Sequence, residues 1–338
     1  GAPTVQVVSA SATIHGKSAD FEEVDSIGIS QVSMFGIIDT SYSSTVLVWS
    51  GEKIIEGTVR INQPLVIEPG TTVRLAEQAS LLVRGKVTAK GLPDLPIRFL
   101  PTVDSEGPWG TVAILTEKAN GSEFIGTEFV GGSGLKSDLY EYTAMFSVHE
   151  AKGVKIDQST FRDNSLVDDM VHFVYADVQI NNSRFIRSHL DSIDADISTI
   201  SVKNSFFSHS GNDALDLMTT DATVTNTRIV NSIDKAISIG EASNLQLRDS
   251  EIFQNEIGVQ AKDSSTVKIS NVSFIDNQVA IDAYKKNWRY GDGGHVEVQS
   301  SLLKGNKVDV KKDKKSSVKM LDPSIPQAFT GKKVNTSR

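Results

Sequence analysis

Three short segments, DDMVH at 168–172, DSID at 191–194 and DALD at 213–216, carry most of the chemistry this chain could perform. Asp169, Asp191 and Asp213 lie 22 residues apart, and so do His172, Asp194 and Asp216. A chain that repeats every 22 residues stacks them into two columns, so five carboxylates and one imidazole share a patch. Carboxylates about 4.8 Å apart repel by roughly 1 kcal/mol in water, and by several times that in a partly desolvated groove. One response is a hard cation. Calcium takes carboxylate oxygens at about 2.3–2.6 Å, which makes Asp169, Asp191 and Asp213 candidate calcium ligands. The other response is a raised pKa that leaves a carboxyl protonated for general acid or base work on a sugar. Asp194 and Asp216 are then the candidate catalytic groups, with His172 as proton carrier and Asp191 and Asp213 as further substrate contacts. Turn aspartates also serve as plain solubilising residues, and that reading stands beside the chemical one.

Asp282 continues the column of Asp194 and Asp216, three coils further on and about 14 Å away, the reach of a short oligosaccharide. The segment that follows, 284–294, combines Tyr284, Trp288 and Tyr290 with Lys285, Lys286 and Arg289. Aromatic faces stack on sugar rings and cations suit acidic sugars. Asp282, Tyr284, Lys286, Trp288, Arg289 and Tyr290 are therefore candidate substrate contacts; a loop folded over the last coils accounts for the same residues structurally. His149, His189 and His209 do not stack with His172 and are expected to be exposed bystanders. No zinc-type ligand spacing is present.

The elements that must position these residues are legible as a repeat. An apolar-x-apolar frame ending in Asn-Ser-x-Phe recurs as VKIDQSTF from 154, VQINNSRF from 178, ISVKNSFF from 200, ATVTNTRI from 222, LQLRDSEI from 245, VKISNVSF from 267 and VEVQSSLL from 296. Its first and third residues point inward, and its last large residue (Phe161, Phe185, Phe207, Ile229, Ile252, Phe274, Leu303) forms an internal column. A second strand follows in each coil and carries His172, Asp194 and Asp216 on its outer side. A period of 22–23 residues with short strands and no helix between them predicts an all-β, right-handed parallel β-helix of about ten coils. It is expected over 51–315, after an N-terminal cap segment at 1–50 and before a tail at 316–338. Insertions at 131–153 and 284–294 break the period and should emerge as loops on the binding face.

The net charge of −8 argues against duplex nucleic acid as a partner. No apolar run is long enough to span a membrane, and the absence of cysteine excludes disulfides and thiolate metal sites. The lysines from 304 to 319 would attract an anionic polymer, and a solvated end cap accounts for the same residues structurally.

The phrases GNDALDL at 211–217, DKAISIGEAS at 234–243, NEIGVQAKDSS at 255–265 and NQVAIDAYKKN at 277–287 resemble the β-helix region of secreted CotH-type bacterial proteins. They are more distantly similar to the pectate-lyase-like superfamily of carbohydrate-binding and sugar-hydrolysing helices. The resemblance implies an exported, surface-associated module, with Asp-x-x-Asp pairs at Asp191 with Asp194 and Asp213 with Asp216. It transfers no kinase activity, and the Gly-His-Gly of polygalacturonases and the Asp-Pro-His-Asp of alginate epimerases are both missing. Two expectations result. One is an exported β-helix that binds and processes a polysaccharide, anionic sugars included, along the Asp-lined face. The other is a non-catalytic adhesion or structural module of the cell surface or biofilm matrix, with other surface proteins as partners.

Overall fold

The computed structural model describes residues 11–14, 17–20, 42–137 and 139–321. Contacts divide the chain into a first unit, Gly1–Tyr42, and a second, Ser43–Arg338. In the first, Ser11–Ile14 pairs antiparallel with Lys17–Asp20. The remainder of that unit, most of the expected cap, and the expected tail from 322 onward lie outside the described residues.

The second unit winds through three parallel sheets of 11, 11 and 12 strands. Consecutive strands belong to different sheets, and each pairs with its counterpart one coil away, which makes a parallel β-helix. Its strands run from Leu47–Trp49 to Ser317–Met320, slightly past the expected bounds of 51 and 315. The twelve-stranded sheet also implies more coils than the ten expected, because the first turns lack the Asn-Ser frame that makes later ones legible. Among the described residues there is no α-helix, and no helix long and apolar enough to cross a membrane.

The frame explains each coil. Val154 and Ile156 face the core with Lys155 outside between them, and the alternation repeats at Val178, Ile180, Ile200 and Val202. The turn column Gln158, Asn182, Asn204, Asn226, Asp249, Asn271 and Ser300 has φ between 48° and 54°, a left-handed conformation that Asn and Asp tolerate best. The Ser or Thr that follows the first five of these is buried (Ser159, Ser183, Ser205, Thr227 and Ser250), and its hydroxyl accepts the N–H of the preceding coil: Ser159 N–H to Ser183 at 3.2 Å, Ser183 N–H to Ser205 at 3.2 Å and Thr227 N–H to Ser250 at 3.1 Å.

The last residue of the frame builds the core's spine. Phe99, Phe129, Phe161, Phe185 and Phe207 stack nearly parallel, with ring centroids 4.3–5.2 Å apart, and Ile229, Ile252, Phe274 and Leu303 continue the register. Parallel pairing forces like residues onto one another, so a planar ring repeated at the strand spacing fills each layer without a void.

A third corner, after the second strand of each coil, is less well matched. Ile197 and Thr219 hold φ of 50° and 52° there, where β-branched side chains are strained. Two stability results are expected from urea denaturation. Phe185→Ala should cost about 3–5 kcal/mol through the cavity it opens in the stack. Ile197→Asn, at an exposed position, should stabilise by about 1 kcal/mol by relieving the left-handed strain.

Candidate functional site

The site lies on the outer face of the middle sheet, on the strands Ala144–His149, Asp169–Val174, Asp191–Asp196, Leu215–Met218 and Lys235–Gly240. Strand pairing aligns Ser147, His172, Asp194, Asp216 and Ser238 in one column and Asp169 with Asp191 in another. Strand alternation sends residues three positions before His172 and Asp194 to the opposite side, which predicts Asp169 and Asp191 in the preceding turn; both are instead the first residues of their strands. The reason is a bend. Met170 and Val171 both enter the core, as do Ala214 and Leu215, and Ser192 and Ile193 are both buried. Two successive inward residues turn the strand, so positions i and i+3 both emerge on the outer side.

The two columns differ in what they do. Asp169, Asp191 and Asp213 are buried, and each has at least one carboxyl oxygen committed to a hydrogen bond. Asp191 accepts from Asn212 Nδ2 and from the Asp213 amide, both at 2.8 Å. Asp213 accepts from the Lys235 amide at 3.0 Å and lies 3.3 Å from Lys235 Nζ. Asp169 accepts from Thr143 Oγ1 at 2.7 Å. Much of this column therefore ties one coil to the next. Burial of Lys235 disfavours its charge, but Asp213 and Asp234 outweigh that and hold its ammonium above the usual range.

In the outer column His172, Asp194 and Asp216 are half-exposed. His172 Nε2 lies 3.3 Å from Asp196 Oδ2 and 3.7 Å from Asp194 Oδ2, and its Nδ1 lies 3.1 Å from Thr143 Oγ1. The Asp194 side chain retains a quarter of its exposure. Burial first, then the charges of Asp169, Asp196, Asp216 and Asp191, push its carboxyl up to about 9. Burial likewise raises Asp169 and Asp213 to about 7 and Asp191 to about 6; Lys235 opposes the rise at Asp213, and the Asp213 amide opposes it at Asp191. The patch thus answers its own repulsion by holding protons.

Two insertions border this face. Within 131–153, Leu135–Lys136 pairs with Glu141–Tyr142 as a hairpin. Tyr142 is buried against Leu82, Ala113 and Leu115 on the outer side of the same sheet. Arg60 Nη2 donates to Tyr140 Oη at 2.5 Å and pins the hairpin down. At the far corner, the 284–294 loop is held by Asp263 Oδ1, which accepts the Lys286 and Asn287 amides at 2.8 Å. Glu241 feels the charges of both Asp216 and Lys286, so the base of this loop lies within electrostatic reach of the column.

The remaining expected residues divide. Asp282 continues the column, pairing with Gln260, but it is buried and accepts from Gln260 Nε2 at 3.0 Å. Tyr284 and Tyr290 are half-buried, while Lys286, Trp288 and Arg289 are exposed, with the Arg289 guanidinium 5.9 Å from the Trp288 ring. His189 and His209 are exposed as expected. His149 is not: it is buried, its ring 5.4 Å from His172 and 5.2 Å from Tyr142. Burial, reinforced by His172, pushes its imidazole down to about 3. The hairpin insertion covers it, which a periodicity broken at 131–153 could not reveal.

Asp169, Asp191 and Asp213 do not close around one point. The trio that does, among the described residues, is Asp169, His172 and Asp194, whose candidate ligand atoms lie within 4.8 Å of one another. Calcium takes six to eight oxygens, and this trio offers one imidazole nitrogen and two carboxyls, a mixed donor set with fewer oxygens than calcium takes. Several site residues had escaped notice. Asp196 shares a strand face with Asp194, and Lys235 follows Asp213 by 22 residues, so both were available from spacing. Thr143 sits in the insertion, where no period signals it.

No curated protein matches the chain in sequence. Among solved structures it is similar to the catalytic unit of a thermostable GH87 alpha-1,3-glucanase from Streptomyces thermodiastaticus, at 13% identity and a TM-score of 0.50, over 87% of this chain and 65% of that one. An alginate lyase from a Paenibacillus species aligns at 12% identity and a TM-score of 0.42, over 75% of this chain and 93% of that one. A mannuronan C-5 epimerase module from Azotobacter vinelandii aligns at 14% identity and a TM-score of 0.39, over 83% and 92%. At such identities the likeness is one of fold alone. The narrower resemblance to CotH-type proteins rests on the sequence phrases only. The family model described as "Right handed beta helix region" matches residues 144–319, more than half of the chain and all of the carboxylate column. With the winding and the stacked register described above, the chain belongs to the right-handed β-helix family.

Proposed function

We propose that the outer face of the middle sheet binds a polysaccharide laid across successive coils, and that Asp194, Asp216 and His172 perform an acid–base reaction on it. The observation that carries this is the column itself: Asp194 sits on a rigid strand face between His172 and Asp216, each one coil away, with a quarter of its side chain exposed; burial and the neighbouring carboxylates push its carboxyl up to about 9. In glycoside cleavage one carboxylic acid protonates the leaving oxygen while a second carboxyl acts as base or nucleophile on the other side of the bond. Asp194 takes the first role, Asp216 the second. His172 stands beside Asp194 to return the proton between turnovers. Removal of a ring proton, as in a lyase or epimerase, needs the same donor and acceptor, so product analysis decides among the three. The exposed Trp288, with Lys286 and Arg289, offers a stacking and cationic platform at the far end of the face. Such a polymer is met outside the cytoplasm, and the proposal includes export.

A second reading, a non-catalytic surface or matrix module, is favoured by the inner column, where Asp191 and Asp213 spend oxygens on the amides of the next coil.

Incubating the purified protein with acidic and neutral polysaccharides and measuring new reducing ends and unsaturated products separates the two. On a responsive polymer, Asp194→Asn or Asp216→Asn should lower turnover by roughly 10²–10⁴-fold, while Trp288→Ala should weaken binding by about 1–3 kcal/mol. Equal turnover in wild type and both Asn variants would leave the matrix module standing.

Stability should also depend on pH in a defined direction. Below about pH 4 these aspartates are protonated in both folded and unfolded chains. As pH rises the unfolded chain loses their protons first, so the native state binds more protons and stability falls. The decline runs through about 6, 7 and 9, the folded values of Asp191, of Asp169 and Asp213, and of Asp194. Thermal melts should therefore show Asp194→Asn equal to wild type near pH 4 and increasingly more stable than it as pH rises to 8.

A further inference from the structure

We propose that Asp169, His172 and Asp194 bind one first-row divalent metal ion, zinc more tightly than manganese, and that calcium and magnesium do not take its place. The site lies on the face assigned above, but ion binding does not depend on that face having any turnover.

The bend at Met170 and Val171 brings Asp169 and His172 out on the same side of one strand, and strand pairing sets Asp194 beside His172 one coil on. One donor atom from each lies within 4.8 Å of the others. Zinc bonds of about 2.1 Å place donor atoms roughly 3.4 Å apart in a tetrahedron. His172 Nε2 lies 3.7 Å from Asp194 Oδ2, so a small rotation of the side chains closes the set. No sequence motif marks it, because zinc motifs count donors along one segment and the third donor here sits on the next coil.

The donors are held in place without being used up. Asp169 is more than nine-tenths buried, yet only its Oδ2 accepts a hydrogen bond, from Thr143. Among the described residues, nothing donates to its Oδ1 or to either oxygen of Asp194, and no lysine or arginine nitrogen lies within 4.0 Å of either carboxyl. Asp213, by contrast, has Lys235 at 3.3 Å. A buried carboxylate with neither hydrogen bonds nor a counter-ion is costly, and a cation between the two offsets that cost.

The imidazole is provided for at both nitrogens. Nε2 lies 3.3 Å from Asp196 Oδ2 and Nδ1 lies 3.1 Å from Thr143 Oγ1. Whichever nitrogen takes the ion, the other has an oxygen to receive its hydrogen, the arrangement that fixes the ring of a metal-bound histidine. Thr143 also holds Asp169, so one hydroxyl steadies two ligands.

Donor chemistry selects the ion. Imidazole with two carboxylates suits zinc, cobalt or manganese, whereas calcium and magnesium ask for oxygen donors throughout. Three protein donors leave a position open for water or a substrate oxygen, and the exposed quarter of the Asp194 side chain gives the ion a way in. Metal and proton compete for the same lone pairs, so the ion and the acid–base reaction proposed above exclude one another at His172 and Asp194.

The test is calorimetric titration of chelator-stripped protein, near neutral pH, with the chlorides of zinc, manganese, calcium and magnesium, alongside thermal melts. One zinc per chain should bind and raise the melting temperature, manganese should bind more weakly, and calcium and magnesium should give no heat. His172→Gln and Asp194→Asn, each first checked for a cooperative melt without metal, should lose the zinc heat. Thr143→Val should weaken zinc binding by roughly 10–100-fold. His295→Gln, at the other His–Asp pair among the described residues, should change nothing. Absence of zinc binding, zinc binding that survives both folded ligand variants, or calcium bound more tightly than zinc would overturn the proposal. A protein that binds zinc here but turns over no polymer refutes the catalytic reading and keeps this site. Turnover of a polymer by a protein that takes up no zinc does the reverse.

Discussion

The β-helix depends on in-register parallel pairing, which sets each strand residue about 4.8 Å from its counterpart in the next coil. That constraint rewards side chains that benefit from meeting themselves and penalises those that do not. Phenylalanine rings stack, buried serines pass hydrogen bonds from coil to coil, and asparagines bond along their turn, as Asn226 does to Asn204 at 2.7 Å. Hydrophobic spine and polar ladders are two outcomes of one geometry.

Aspartate is the residue for which self-stacking is most costly, and the chain places it in two adjacent columns. In the inner one the cost is met by backbone amides, Asn212 and Lys235. In the outer one no comparable donor set surrounds Asp194, and its carboxyl keeps a proton instead. The proposed chemistry therefore falls on His172, Asp194 and Asp216, which are half-exposed and less committed to hydrogen bonds within the coil. The strained corner at Ile197 directly follows Asp194 and Asp196, so local backbone cost and electrostatic cost fall in the same coil.

The insertions complete the site because a solenoid face is otherwise flat. The 135–142 hairpin buries Tyr142 on the sheet's outer side, dehydrates His149 and brings Thr143 against Asp169 and His172. At the other corner, the loop after Tyr284 is tied back through Asp263 and through Ser264, whose hydroxyl donates to Asp292 at 2.6 Å. A regular repeat supplies the rigid register, and the departures from it supply the walls.

The sequence alone determined the winding, the inward Phe column, the turn positions and the alignment of His172 with Asp194 and Asp216, because each follows from a period of 22–23 residues and strand alternation. It also held Asp196 and Lys235 within reach of the same arithmetic. Tertiary structure alone decided that Asp169 and Asp191 begin strands, since that depends on two successive side chains entering the core at a bend. It decided, too, that His149 is buried beside His172 and that Thr143 joins the site. Both depend on where an aperiodic insertion packs, and packing against a surface built from distant coils leaves no local trace in the chain.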